Sequence, residues 1–333
     1  MKHVIVIAVL VILCTFLVHT GLSSIGLLPL QASAQAVPID QLMQVHLWLI
    51  SFLFSLITVI LIYSLVVFRR KKGDTSEGAH IEGNSVLEII WTTIPLIIVV
   101  VLAVVGARVL GDVRRIDPSA MQVKVIGAQW FWQFQYPEYG IVTNELYLPV
   151  NKQVDLQMTS KDVIHSFWVP EFRVKQDLVP GQTTDLRITP TIIGNYKVRC
   201  SELCGLNHAY MIAPVYVVSQ ADFDSWVKTT QESVPQDPVL LGELLAQQYG
   251  CANCHSTDGT EKTGPTWYHL FGSQVSLSDG TKVVADQNYI TQSILNPNSQ
   301  VASGFPANTM PNFSDVLDQN SIDALVAYIE SLK

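Results

Sequence analysis

The chain has 333 residues, room for about two domains of roughly 150 residues each. Its composition is 49% hydrophobic and only 14% charged, which excludes an intrinsically disordered chain. The formal net charge of −8 argues against a nucleic-acid-binding protein, which normally carries a basic patch, so no nucleic-acid partner is expected. Five cysteines are too few for a disulfide-based scaffold of this length.

The N-terminal apolar stretch, residues 4–18, follows Lys2 and leads to the small residues Ala32-Ser33-Ala34. This order is typical of a secretory signal peptide and predicts one over residues 1–34, with cleavage after Ala34. The alternative is an uncleaved third membrane helix.

Two further stretches, from Asp40 to Arg69 and from Glu88 to Arg108, contain no charged residue when His46 is neutral. Crossing a bilayer takes about 20 apolar residues, and both stretches are close to or above that length. We therefore expect a two-helix transmembrane hairpin over residues 38–112, held in membrane lipid.

The loop of this hairpin carries Arg69-Arg70-Lys71-Lys72, and the positive-inside rule places such a loop in the cytoplasm. Everything after about residue 111 then lies outside. The expected location is a bacterial cell (plasma) membrane, multi-pass, with the later domains on the extracytoplasmic side.

Residues 118–228 are predicted to form an all-β domain. Short alternating runs, such as 123–125 and 184–188, are separated by turn residues at Pro180-Gly181 and Gly194-Asn195. Several short strands at this spacing indicate a sandwich or a barrel.

Residue types that bind metals cluster near the end of this domain. They are His165, Cys200, Glu202, Cys204, His208 and Met211. Sulfur ligands with imidazoles favour copper or zinc over magnesium or calcium. Two thiolates are one too many for a mononuclear blue-copper site, but they can bridge two copper ions. Taken alone, the pair Cys200/Cys204 also leaves open a disulfide and half of a zinc site.

The run around His165, DVIHSFWVPE, and the run CSELCGLNHAYM resemble subunit II of cytochrome c oxidase, in the heme–copper oxidase family. That subunit has a cupredoxin-like domain holding a binuclear copper centre called CuA. The resemblance implies that Cys200 and Cys204 bridge two copper ions, each of which also binds one of His165 and His208.

The same resemblance implies two weak axial ligands, Met211 and the backbone carbonyl of Glu202. It further implies that the side chain of Glu202 reaches a magnesium ion shared with subunit I.

Two other segments resemble this family. In GAQWFWQF, residues 127–134, the first tryptophan is the family's electron-entry residue, and it corresponds to Trp130. Glu88, in EIIWTTIP, matches a glutamate at the mouth of a proton path into subunit I. From the residues alone, the alternatives are an ordinary aromatic core strand and an ordinary interfacial carboxylate.

A proline-containing linker at 229–238 leads into a further domain, residues 239–333. The run Cys251-Ala252-Asn253-Cys254-His255 is the CxxCH motif of covalent heme c attachment. In this motif both cysteines form thioethers to the heme, and the histidine binds its iron.

Met310 is the expected second iron ligand, since a methionine at that distance before a terminal helix resembles class I cytochrome c. Gly264-Pro265 fits the same family. Met/His ligation raises the heme potential, as suits an electron relay. His269 is the alternative second ligand.

The expected fold is therefore multi-domain: a two-helix transmembrane hairpin, an all-β cupredoxin-like sandwich and an all-α class I cytochrome c domain. The resemblance implies an electron-entry subunit of a proton-translocating cytochrome-c oxidase. A soluble or membrane-bound cytochrome c, or another donor, would reduce heme c. Electrons would then pass to CuA and to subunit I, which reduces oxygen to water; subunit III is a further expected partner.

Other functions fit less well. A nitrous oxide reductase with CuA would bring a propeller and a histidine-rich copper cluster, whereas this chain has eight histidines and no propeller repeats. A quinol oxidase subunit lacks the copper ligands. A membrane-anchored copper chaperone would need neither the heme domain nor Met211.

Overall fold

The computed structural model describes residues 1–70, 72–75, 77–78, 80, 82–314 and 317–332. The chain forms two compact units. The first consists of Met1–Asp117 with two short segments, Pro170–Val174 and Arg187–Thr191. The second consists of Pro118–Val169, Lys175–Leu186 and Ile192–Lys333.

The first unit contains three long apolar helices: α1 (Lys2–Ser24), α2 (Ala36–Val67) and α3 (Ser85–Val113). Within the described residues, these three are long and apolar enough to cross a membrane. Helices α2 and α3 correspond to the expected hairpin, and Pro95 lies inside α3. Of the basic loop residues, Lys71 lies outside the described residues.

Helix α1 packs against α2 through aromatic contacts at both ends. The imidazole of His19 stacks on the indole of Trp48 with ring centroids 3.6 Å apart. Near the other end, His3 Nδ1 lies 2.7 Å from the hydroxyl of Tyr63. These contacts fix α1 alongside α2 rather than leaving it separate.

Backbone hydrogen bonds join the segment after α1 to the rest of the first unit. The Ala32 N–H donates to the Glu171 carbonyl (3.0 Å), and the Thr191 N–H donates to the Ala32 carbonyl (2.9 Å). The Ala34 N–H donates to the Thr189 carbonyl (2.9 Å). Ala32 is fully buried, so this stretch is part of the folded unit.

Side chains support the same segment. The hydroxyl of Ser33 donates to the Phe172 carbonyl at 2.9 Å, and Ser33 is fully buried. The guanidinium of Arg173 pairs with Asp40 at 2.8 Å, with both side chains mostly shielded from solvent.

The second unit begins with two five-stranded sheets that form a β-sandwich. The strands are β1 (Met121–Ala128), β2 (Phe131–Tyr136), β3 (Ile141–Thr143), β4 (Leu146–Pro149), β5 (Val154–Ser160), β6 (His165–Trp168), β7 (Lys175–Leu178), β8 (Thr184–Ile188), β9 (Gly194–Cys200) and β10 (Ile212–Val218). One sheet has the order β3-β2-β1-β5-β8 and the other β4-β10-β9-β6-β7.

Side-chain alternation explains these strands. Along β9, buried and exposed residues alternate, with Tyr196, Val198 and Cys200 facing inward. A half-buried sheet imposes this two-residue period. Strand β8 coincides with the run 184–188 predicted from the sequence, and the expected cupredoxin-like sandwich is confirmed.

Helix α4 (Gln220–Glu232) follows the sandwich, and α5 (Pro238–Gln248) begins the next domain. The predicted linker over 229–238 therefore has helical residues at both ends, and only 233–237 connect the two helices. The carboxylate of Asp237 caps α5 by accepting from the Val239 and Leu240 N–H groups (2.8 and 3.1 Å). Pro238 suits the first helical turn.

The C-terminal domain is helical, as expected, with a small two-stranded ribbon. Its remaining elements are α6 (Cys251–Cys254), β11 (Gln274–Ser276), β12 (Lys282–Val284), α7 (Gln287–Leu295) and α8 (Gln319–Ser331). The ribbon departs from an all-α domain because Asp279 accepts from the Thr281 N–H, and Gly280 adopts φ +88° between the strands. Such an Asp-Gly pair favours a tight turn.

Helices α5 and α8 cross at Gly242. A Cβ added there would lie 2.0 Å from the Ala324 carbonyl oxygen and 2.7 Å from Tyr328 Cβ. The two backbones meet so closely that only glycine fits at this crossing.

Candidate metal centre and heme pocket

Two neighbouring strands bring the first candidate ligands together. His165 begins β6 and Cys200 ends β9, and these strands pair with Phe167 opposite Cys200. Residues far apart in sequence therefore meet at one end of the sheet. Both His165 and Cys200 are buried.

The loop between β9 and β10 supplies the remaining ligands. The Cys200 N–H donates to the Met211 carbonyl (3.1 Å), which closes the loop at its base. The Met211 N–H donates to the His208 carbonyl (3.2 Å), which folds the loop back on itself. The closed loop directs Cys204 and Met211 inward, and both are buried.

The two thiols lie at the centre of the cluster, with Sγ atoms of Cys200 and Cys204 3.6 Å apart. Around them are His165 Nδ1, 3.9 Å from Cys200 Sγ, and His208 Nδ1, 3.5 Å from Cys204 Sγ. Met211 Sδ lies 3.9 Å from Cys204 Sγ.

The Glu202 carbonyl oxygen lies 3.2 Å from Cys200 Sγ, while the residue itself is exposed. All six predicted copper-site residues are thus gathered in one place. The backbone oxygen of Glu202 faces the thiols, and the exposed position leaves its carboxylate free for a different role.

The two thiols differ in acidity. Burial would raise the pKa of Cys200, but hydrogen bonds from His165, from the backbone at Glu202 and Ser166 and from Cys204 together outweigh it and lower that pKa to about 6. For Cys204, burial and the neighbouring Cys200 thiolate both raise the pKa. Two thiolates this close repel one another, so a cation between them is needed to ionise both.

Asp162 orients His165, and sequence reasoning missed it. Its Oδ1 accepts from His165 Nε2 at 2.7 Å, which leaves Nδ1 facing the sulfur atoms. Burial would raise the pKa of Asp162, but hydrogen bonds from His165 and from the Gln129 N–H outweigh it and lower that pKa. A carboxylate behind a metal-binding histidine is a common supporting group, and a carboxylate three residues before His165 was the available signal.

Trp130 contacts the loop directly. Its indole N–H donates to the Cys204 carbonyl (3.1 Å), which also accepts from Gln129 Nε2 (2.7 Å). Gly205 makes this approach possible, because a Cβ there would lie 2.9 Å from Gln129 Nε2. Its φ of +113° also favours glycine.

Trp132 supports the site from the core side. It is 1% exposed, and its indole N–H donates to the Met211 carbonyl at 3.2 Å. Its ring lies edge-on to His165, with centroids 6.3 Å apart.

A large cavity in the same unit is lined by the heme-motif residues. It has an empty volume of about 1310 Å³, including its open mouth. Its walls include Cys251, Cys254, His255, Met310, Gln129 and Phe131. The cavity joins the three CxxCH residues to Met310, as the sequence predicted for a heme between them.

His255 is held in one orientation. Its Nδ1–H donates to the Pro265 carbonyl (2.7 Å), and its ring stacks on Trp267 with centroids 5.0 Å apart. Gly264 is needed beside it, because a Cβ there would lie 2.7 Å from His255 Cε1. Burial lowers the pKa of His255, which keeps the ring neutral with Nε2 available to a metal.

The structure places the two alternative iron ligands differently. Met310 lines the cavity, whereas His269 is exposed and is not among the lining residues. Glu88 is in neither cluster: it lies exposed in the first turn of α3, in the first unit.

Comparison with known proteins places each region. The family model described as cytochrome c oxidase subunit II, transmembrane domain, matches residues 20–109. The model of that subunit's periplasmic domain matches 141–219, and a cytochrome c model matches 239–333.

Whole-chain relatives agree with these matches. Cytochrome c oxidase subunit 2 of Alkalihalophilus pseudofirmus is 32% identical over 86% of this chain and 87% of its own length. The subunit 2 of Synechocystis is 34% identical over 61% of this chain and 75% of its own. The chain belongs to the cytochrome c oxidase subunit 2 family.

Among solved structures, the periplasmic domain of subunit II of cytochrome oxidase from Bradyrhizobium japonicum is 36% identical. That match has a TM-score of 0.33 and covers 35% of this chain and 98% of that one. As a subunit II with a cytochrome c domain, the chain is a membrane protein that works with other subunits of a heme–copper oxidase.

The residues of this subunit II fit the groups that its two extramembrane domains imply. For copper, two thiols, two imidazole nitrogens, a thioether and a carbonyl oxygen converge on one point. For heme, a large cavity holds two cysteines, an oriented histidine and a methionine.

Proposed function

We propose that this chain is the electron-entry subunit of a proton-translocating cytochrome-c oxidase, passing electrons from heme c to CuA and on to subunit I. The observation that carries the proposal is that one compact unit contains both the six-group sulfur–imidazole cluster and the heme cavity. When bound, the copper pair and the heme supply one-electron redox chemistry. The chain's own residues hold and orient these groups.

At the copper centre, Cys200, Cys204, His165 and His208 would be the main residues that hold the copper pair. Met211 and the Glu202 carbonyl would be the weaker ligands. The contact of Asp162 with His165 fixes the imidazole before metal binds, which lowers the reorganisation that each electron transfer requires.

At the heme, Cys251 and Cys254 would provide the covalent attachment. His255 and Met310 would be the iron ligands. The Pro265 carbonyl and the ring of Trp267 hold His255 for this task.

The tip of the copper loop is the proposed contact with subunit I. Leu203, Leu206 and Tyr210 are 79%, 91% and 81% exposed, which suits a surface covered by another subunit. Glu202, exposed beside them, is the proposed ligand of a magnesium ion shared with subunit I. Subunit III is a further proposed partner.

Trp130 is the proposed electron-entry residue, since its indole donates to the backbone of the copper ligand Cys204. Glu88 is the proposed mouth of a proton path. The proposed setting is a bacterial plasma membrane, with both cofactor domains outside.

The test is the copper content and the visible and near-infrared spectrum of the purified full-length protein. We expect two tightly held copper ions with a mixed-valence spectrum, and a heme that resists acid–organic extraction. The variant Cys204→Ser should hold one copper ion or none, because a bridging thiolate is lost. The control Cys14→Ser removes a cysteine outside both pairs and should keep two. A single labile copper in the wild-type protein would instead indicate a copper chaperone.

For Glu88, the variant Glu88→Gln should slow oxygen turnover of the whole complex while electron transfer from heme c to copper stays fast. Wild-type turnover in this variant would remove Glu88 from the proton path.

A further inference from the structure

The cytochrome domain contacts the copper-bearing sandwich along one strip, which we call the seam. On the sandwich side it consists of Phe131, Gln133, Val142 and Asn144. On the cytochrome side it consists of residues 247–250, which join the end of α5 to the heme-attachment motif.

The closest contact in the seam is between Phe131 and Gly250. A Cβ added to Gly250 would lie 2.7 Å from two ring atoms of Phe131 and 3.0 Å from a third. The aromatic ring therefore rests on the glycine backbone, and any side chain at position 250 would displace the Phe131 ring or the backbone beside it. Gly250 immediately precedes Cys251, so this contact is one residue from the heme attachment point.

Two amide side chains flank this contact. Gln133 Nε2 donates to the Gln248 carbonyl (3.1 Å), and Asn144 Nδ2 donates to the Gln247 carbonyl (3.2 Å). The last carbonyls of a helix lack partners inside the helix, and α5 ends at Gln248. The sandwich thus caps the C-terminus of α5, and Gln133 is only 2% exposed.

Most other contacts of the seam are apolar, although Lys161 also lines the small cavity beside it. Val142 packs against the hydrophobic core of the cytochrome domain. Phe131 lines a second, small cavity together with Tyr249 and Phe313. The hydrogen bonds described in the seam join neutral amides to carbonyls, so its attraction does not depend on opposite charges.

Phe131 connects two sites already described. It lines the heme cavity, and its neighbour in the chain, Trp130, donates to the carbonyl of the copper ligand Cys204. One short segment therefore lies against the heme cavity on one side and the copper loop on the other.

We infer that the seam is the built-in electron-transfer contact of this chain, with Phe131 and Gly250 as the positioning residues that set the approach of the heme domain to the copper centre. The inference rests on the proposed function. In the step it concerns, one electron leaves the ferrous heme, which becomes ferric, and reduces the oxidised copper pair; no bond forms or breaks.

The experiment is flash reduction of heme c in the full-length holoprotein, followed by the rate of copper reduction, in Gly250→Ala and in the control Gly272→Ala. Both glycines have positive φ, +70° and +80°, but nothing lies within 4 Å of a Cβ at Gly272. Both variants share the backbone strain, and only Gly250→Ala displaces Phe131. We expect its rate to fall severalfold, because electron transfer slows steeply as the distance between donor and acceptor grows. Gly272→Ala should transfer electrons at the wild-type rate, because its added methyl group contacts nothing.

A second pair of variants tests Phe131 directly. Phe131→Leu should slow the transfer, and Phe131→Tyr, which keeps the ring, should restore it. Hydrogen exchange at residues 129–135 and 247–251 should speed up in Gly250→Ala and in Phe131→Leu, a readout independent of turnover.

The outcomes distinguish failure of the proposed function from failure of the seam inference. If wild type lacks two coppers, a covalent heme or any heme-to-copper transfer, the proposed function fails. If wild type transfers electrons and Gly250→Ala does so at the same rate with intact spectra, only the seam inference fails. Unchanged exchange at 129–135 and 247–251 would likewise overturn it.

Discussion

At the scale of single residues, the central feature is a pair of thiols that share one proton. The pKa of Cys200 is lowered to about 6 and that of Cys204 is raised, so the metal-free site carries one thiolate at neutral pH. Copper binding needs both thiolates, and it must therefore displace the proton held by Cys204.

The expected result is that copper affinity rises with pH. At a pH where His165, whose pKa is raised by Asp162 and Cys200, is also neutral, copper binding releases the one proton held by Cys204, which gives about a tenfold change in affinity per pH unit. At lower pH, protons on His165 and Cys200 must be displaced as well, and the affinity depends more steeply on pH. Copper titration of the metal-depleted full-length protein in a pH series, with a competing chelator, measures the slope. An affinity independent of pH would contradict the shared-proton description.

The candidate ligand residues could be identified in the sequence because each chemical type is rare and their spacing is restrictive, and the structure gathers them in two clusters. The groups that orient them could not. Asp162 looks like any loop carboxylate until His165 is seen 2.7 Å away, and the Pro265 carbonyl is a backbone atom with no side-chain signature. Which glycines are needed for close approach, such as Gly205, depends on partners distant in the chain.

At the scale of elements, the crossing of α5 and α8 organises the cytochrome domain. Gly242→Ala should destabilise this domain by about 3 kcal/mol, because the added methyl overlaps the Ala324 carbonyl and one helix must shift. Thermal unfolding followed by heme absorption measures the change. Glu243→Ala, at an exposed neighbouring position, should unfold near the wild-type temperature. Equal melting of the Gly242→Ala protein and wild type would mean that the crossing tolerates a side chain.

The N-terminal segment, residues 1–34, is a second element whose structure leads to a testable prediction. The N-terminal stretch is expected either to be cleaved after Ala34 or to remain as a membrane helix. Cleavage would remove Ala32 and Ser33, which are fully buried and bonded to residues 171–172 and 191. We expect the mature chain to keep this segment together with α1, as shown by its intact mass. A mature N-terminus at Gln35 would show that the fold is complete without it.

The elements themselves were largely predictable. The two charge-free stretches contain the cores of α2 and α3, and run 184–188 is β8. The sequence did not reveal the ribbon β11–β12, since three-residue strands carry too little alternation to be recognised.

At the scale of the whole molecule, charge distinguishes the two proposed electron-transfer steps, from an external donor to the heme and from the heme to copper. Residues 236–333 contain ten acidic and three basic residues, a net charge of −7. A basic external donor is attracted to this surface, so its rate of heme reduction should fall with added salt. The heme-to-copper step crosses a neutral seam and should change little. Stopped-flow measures heme reduction by the external donor, and flash reduction measures the heme-to-copper step, both over the same salt series. An acidic donor is the control, because its rate of heme reduction should rise with added salt. A strongly salt-dependent or concentration-dependent inner step would contradict a tethered relay.

The order of the domains could be predicted from the sequence, because the CxxCH motif and the copper loop each indicate their cofactor regardless of the surrounding fold. The docking of one domain on the other was not. It depends on Gln133, Asn144 and Gly250, residue types that are common and form no motif.

The five residues between α4 and α5 have a consequence for assembly. Fully extended, such a connection spans only about 17 Å, so the cytochrome domain stays beside the copper domain whether or not its heme has been attached. Each chain therefore supplies one cytochrome domain for one copper-site domain, a fixed one-to-one ratio that a separate cytochrome from solution could not guarantee.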